Sequence, residues 1–80
     1  MTQGIERRPD GFPLWKNTSG DVVSCTEKVK VLDENYREIR DAVTDALDDA
    51  VLMGCSAESI RRILRELVDT APCHYPDAKP

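Results

Sequence analysis

Five carboxylates, Glu34, Glu38, Asp41, Asp45 and Asp48, recur at steps of 4, 3, 4 and 3 residues. On a helix that spacing stacks them along one face. Stacked carboxylates hold metals in di-iron bundles, but there they point inward and act with a Glu-x-x-His partner. The single histidine, His74, lies far downstream, so the pattern calls for neither a metal nor a cofactor. The ordinary reading is a solvated acidic face; the functional one is a docking surface for a basic protein partner. Like-charged neighbours such as Asp41 and Asp45 cost a helix some stability, which motivates the docking reading. The cysteines, Cys25, Cys55 and Cys73, contain no C-x-x-C spacing and read as reduced thiols of a cytoplasmic protein. Cys55 falls at the expected start of a helix, where the helix dipole can lower a thiol pKa. Cys25, Cys73 and His74 would give zinc three ligands without a fourth. With no glycine-rich phosphate loop, nucleophile elbow or His-Glu metal helix, nothing in the chain points to an enzyme.

Arg61, Arg62 and Arg65 follow the sequence Gly54-Cys55-Ser56. Residues 50–64, with Ala50, Gly54, Ser56 and Ile60 at their offsets, resemble the core of a helix-turn-helix DNA-binding motif. The resemblance implies that the helix after Gly54 enters the major groove, with those arginines against the nucleic acid. The chain departs from the family upstream, where one continuous helix replaces two short ones. It offers no third helix, and Asp45, Asp48 and Asp49 would crowd the phosphates. The primary reading is therefore that the arginines balance the acidic first helix, and DNA binding is the alternative.

The elements that must carry these residues follow from hydrophobic rhythm. Val29, Leu32, Tyr36, Ile39, Val43, Ala46, Ala50 and Met53 alternate in steps of 3 and 4, the 3.5-residue period of a coiled-coil-like seam. Ser24 and Glu27 have capping-box spacing, which predicts a long helix over about 25–53; Asp33 offers a second, later start. Gly54 should stop this helix and Ser56 should cap a second. Ala57, Ile60, Ile63, Leu64, Leu67, Val68 and Ala71 give the second helix, over about 57–71, a broad apolar face. Pro72 ends it. The expected fold is all-α: an antiparallel helical hairpin (residues 25–71), preceded by an arm (1–24) and followed by an irregular tail (72–80). In the arm, Asp10-Gly11-Phe12-Pro13 and Asn17 to Asp21 are turn chemistry. Leu14-Trp15 and Val22-Val23 either pair as a short β-hairpin or leave the arm irregular.

Folding at Gly54 should bring Val51 near Ile60, Leu47 near Ile63 and Leu64, and Val43 near Leu67. It should also set Asp45, Asp48 and Asp49 level with Arg61, Arg62 and Arg65. The second helix is too short to cover Val29, Leu32, Tyr36 and Ile39. Either the arm, with Phe12, Leu14 and Trp15, covers them, or a second copy does. The period and the small Ala46 and Ala50 favour a homodimer, a four-helix bundle of two hairpins, with Leu32, Tyr36, Ile39 and Val43 as the self-association face. Phe12 and Trp15 then pin the arm, or present an anchor for a protein partner.

Composition narrows the partners. Among 80 residues, 15 acids against 11 bases give a net charge of −4, which disfavours nonspecific binding to nucleic acid or anionic membranes. No apolar run approaches the roughly 20 residues of a membrane span, and residues 1–8 lack the apolar core of a signal peptide. The expected location is the cytoplasm, and the expected role is that of a small helical interaction protein.

Overall fold

The computed structural model describes residues 4–79. It contains two helices, α1 (Thr26–Leu52) and α2 (Ala57–Thr70), and among the described residues no strand longer than an isolated bridge. The described residues divide into two compact units, residues 4–36 with 77–79 and residues 37–76.

In the first unit, two sharp reversals organise the arm. Asp10 Oδ1 accepts from the Phe12 backbone N–H at 3.0 Å, and Asn17 Oδ1 accepts from the N–H groups of Ser19 and Asp21, each at 3.0 Å. These carboxylate and amide side chains replace a backbone acceptor at the bend, the reason such residues dominate turns. On either side of residues 12–16 the chain forms one antiparallel bridge, Arg7 with Pro13 and Lys16 with Val22. The Leu14 N–H reaches Glu6 O at 2.9 Å and the Val23 N–H reaches Trp15 O at 2.8 Å. Lys16 also pairs with Glu6 across the first bridge. So short a pairing cannot stand alone in water; it rests on the first turns of α1, where Val29, Leu32 and Tyr36 are half-buried.

Helix α1 begins one turn-position later than the capping-box spacing suggests. The Cys25 carbonyl accepts the first intrahelical bond, from the Val29 N–H at 2.9 Å, so Cys25 and not Ser24 occupies the N-cap. Asp33 does not break the helix. Absence of proline and glycine between residues 21 and 53 leaves the backbone ladder intact.

The second unit is a helical hairpin. Gly54, at φ +96°, closes α1 with a paired cap: its N–H bonds Val51 O at 3.0 Å, and the Cys55 N–H bonds Ala50 O at 2.9 Å. These are the two bonds of a Schellman motif, which requires the left-handed conformation at this position. Gly54→Ala should therefore destabilise the hairpin by about 1–2 kcal/mol, read as a lower urea midpoint with unchanged slope; an unaltered midpoint would mean the turn tolerates a side chain. Ser56 caps α2, its hydroxyl accepting from the Ser59 N–H at 3.0 Å. At the other end Ala71 leaves the helix at φ −62°, ψ 129°, the extended conformation imposed on a residue that precedes proline. Val43, Leu47 and Ala50 on α1 and Ile60 and Leu64 on α2 are half-buried, and they mark the seam. No described apolar side chain is fully buried.

Candidate functional site

The most organised side-chain cluster belongs to the first unit and centres on Asp33. Its Oδ2 accepts from Arg8 Nη2 at 2.7 Å and its Oδ1 from Trp15 Nε1 at 2.8 Å. Both carboxylate oxygens are thus committed to residues of the arm, and the Arg8 and Asp33 side chains are only 22% and 21% exposed. The Asp33 hydrogen bond, helped by the nearby Asp10 charge, pushes the Arg8 pKa further up against partial desolvation, so this guanidinium stays charged. Arg8 also lies over the Phe12 ring, 5.3 Å from its centroid. Tyr36 receives Phe12 at 5.6 Å and Trp15 edge-on at 6.2 Å, and its hydroxyl accepts from Arg7 Nη1 at 3.4 Å. Tilted and edge-on rings place positive edges against negative faces. Arg7, Arg8 and Trp15 thus donate from the arm to Tyr36 and Asp33 of α1, so the cluster anchors the arm to the helix.

The expected self-association residues divide between the units. Leu32 and Tyr36 are half-buried in the first, with Tyr36 engaged by the arm; in the second, Val43 is half-buried and Ile39 is 62% exposed. All five residues of the acidic stripe, Glu34, Glu38, Asp41, Asp45 and Asp48, are exposed, and Asp41 pairs with its neighbour Arg40 at 3.6 Å. Among the described residues, no three acidic, histidine or cysteine side chains gather as metal ligands. Nor, among the described residues, is any helix long and apolar enough to cross a membrane.

Arg61, Arg62 and Arg65 are also exposed. The interhelical pairing expected for them does not form. Arg65 reaches Glu58 of its own helix at 3.8 Å, and among the described residues no ion pair joins these arginines to Asp45, Asp48 or Asp49. Level placement is insufficient because it does not by itself bring the charged side-chain atoms of the two helices within ion-pair distance. Two helices, the first of them continuous over 27 residues, also provide no trihelical helix-turn-helix core.

Between α1 and α2 runs an open cleft of about 550 Å³. Leu47, Val51, Leu52 and Ala57 form its apolar lining, joined by Thr44; Asp48 stands on the α1 side and Arg61 on the α2 side. Leu52 is 85% exposed. Sequence analysis placed Asp48 level with Arg61 but did not find the cleft, because its shape depends on how far the seam residues hold the helices apart. No family model, curated protein or solved structure matches this chain. Its function must therefore be argued from these surfaces.

The three thiols are free and exposed. The one at a helix N-cap is Cys25; at α2 that place belongs to Ser56. The Lys28 backbone N–H, aimed at the Cys25 sulfur, holds the thiol below its ordinary range; the Glu27 N–H and the Lys28 charge add to this, and partial desolvation opposes it. A depressed folded-state pKa makes the thiolate a stabilising N-cap above the unfolded pKa, a contribution lost as pH falls through the folded value. Alkylation of Cys25 by iodoacetamide, followed by peptide mass spectrometry, should reach half its maximal rate at a lower pH in the native protein than in urea. Superimposable native and urea profiles would mean that the backbone does not cap the sulfur.

Proposed function

We propose that this chain is a small non-enzymatic interaction protein that acts by self-association, two hairpins packing into a four-helix bundle in the reducing cytoplasm. One observation carries the reading. No described aliphatic or aromatic side chain is buried, while Val51 and Leu52 on α1 and Ile63, Leu67 and Val68 on α2 are each at least half exposed. Ordering a residue costs roughly 1–2 kcal/mol of backbone entropy, and burial of apolar surface is the main term that offsets it. Covering a leucine, isoleucine or valine fully would contribute about 1.5–3 kcal/mol. A second copy supplies that cover for several of them at once. Glu34, Glu38, Asp41 and Asp45 of the acidic stripe remain outside such a bundle and are the surface we assign to a basic protein partner; Asp48, the last of the stripe, lines the cleft between the helices.

Light scattering at micromolar concentration tests the reading. The expected mass is twice 9.0 kDa, with a melting midpoint that rises with protein concentration, as mass action requires of an associating fold. A 9.0 kDa particle whose midpoint ignores concentration would remove the proposal. DNA binding by α2 is the second reading, favoured by the exposure of Arg61 and Arg62. It requires a duplex complex that weakens steeply with salt; absence of any mobility shift at low salt would end it.

A further inference from the structure

The cleft between the helices is lined by Asp48 from α1 and Arg61 from α2, with Leu47, Val51 and Ala57 on the inner side of the two charges and the exposed Leu52 beyond Asp48. Neither Asp48 nor Arg61 has an ion-pair partner among the described residues, although both border the same cleft. A surface that is acidic along one edge, basic along the other and apolar in the middle is complementary to itself under one kind of rotation. A twofold axis parallel to the helices sets α1 of each copy over α2 of the other. A twofold across the helices sets α1 over α1, placing Asp48 against Asp48. In an isologous contact each complementary pair occurs twice.

We propose that a second copy of this chain docks over this cleft about a twofold parallel to the helices, so that Asp48 of each copy meets Arg61 of the other across the apolar strip. This rests on the self-association reading and specifies its surface and symmetry. Closure covers Leu52 and Val51, which the isolated hairpin leaves in water, and gives both orphan charges a partner. It also places the pairs at the edge of an apolar contact, where charge complementarity sets register and partner choice more than affinity.

Two single charge reversals, Asp48→Arg and Arg61→Asp, provide the test, with mass read by sedimentation at low salt. Each variant alone meets only like charges in the docked arrangement and should associate at least about tenfold more weakly than the wild type. Mixed in equal amounts, the two should form a one-to-one heterodimer, because every contact in the mixed pair again joins opposite charges. Attraction within one chain cannot produce that rescue. Variants that dimerise like the wild type, or that weaken without rescue on mixing, overturn the cleft as the interface while leaving self-association standing. A wild type that is monomeric removes the underlying reading and this one with it. Should either variant lose ellipticity, the wild type alone decides: its dissociation constant should rise several-fold between about 0.05 and 0.5 M salt, over which screening shortens markedly, and a salt-independent dimer overturns the charged rims.

Discussion

Asp33→Ala should free the arm from α1. The substitution removes both acceptors that hold Arg8 and Trp15, at 2.7 and 2.8 Å. A neutral hydrogen bond such as that from the indole N–H contributes about 1 kcal/mol net, or roughly a fivefold change in the detached population; loss of the charged partner of Arg8 adds to it. What then remains is the contact of the Phe12 and Trp15 rings with Tyr36 and the long Arg7–Tyr36 hydrogen bond. The arm's own pairing amounts to two isolated bridges, and Pro13 alone among its described residues is buried. Detachment should shift Trp15 emission to the red and speed tryptic cleavage after the exposed Lys16, while α1 and α2 keep their ellipticity. Asp33→Asn separates the contributions, since the amide oxygen can still accept from Trp15 but offers Arg8 no charge; its cleavage rate should lie between wild type and Asp33→Ala. Emission and cleavage that do not move would show that the stacked rings of Phe12, Trp15 and Tyr36 hold the arm unaided.

That Asp33 matters in this way was only partly legible in the sequence. Its type suggested a helix cap, the usual place for aspartate near the start of a helix. Its position told more: it follows Val29 by four residues and precedes Tyr36 by three, so it shares their face. A carboxylate on the apolar face of a helix needs donors from elsewhere, and Trp15 and Arg8 were the polar-tipped residues of the arm able to supply them. The turns at Asp10 and Asn17 and the stops at Gly54 and Pro72 were readable because each depends on a few adjacent residues. The start of α1 was misplaced by one residue, since serine is the stronger N-cap by type but the first intrahelical bond is accepted by the Cys25 carbonyl. The expected pairing of Asp45, Asp48 and Asp49 with the arginines failed for a different reason. Sequence register fixes height along the hairpin but not the rotation of each helix about its axis, and that rotation decides whether two exposed faces meet.

The rotation can be tested through Leu64, which the structure turns inward and leaves half-buried, beside Ile63 at 61% exposed. A carboxylate at position 64 would enter the half-buried seam, losing apolar contact and water together, at a cost of about 2–3 kcal/mol. Helix α2 has 14 residues, a length at which an isolated helix is marginal in water, so its helicity depends on this packing. Leu64→Asp should therefore melt α2 while α1, with 27 residues and its own cap, persists; about a third of the 222 nm ellipticity should disappear. Arg62→Asp changes charge by more but places the carboxylate on the solvent face, where substitutions shift stability by about 0.5 kcal/mol or less, and should leave the spectrum almost unchanged. The contrast between the two positions fixes which face of α2 meets α1. Equal loss from both would mean that α2 is held by overall charge, and no loss from either would mean that it is helical without the hairpin. Only a face-specific loss is consistent with a hairpin whose inner seam is closed and whose outer apolar strip is left for a second copy.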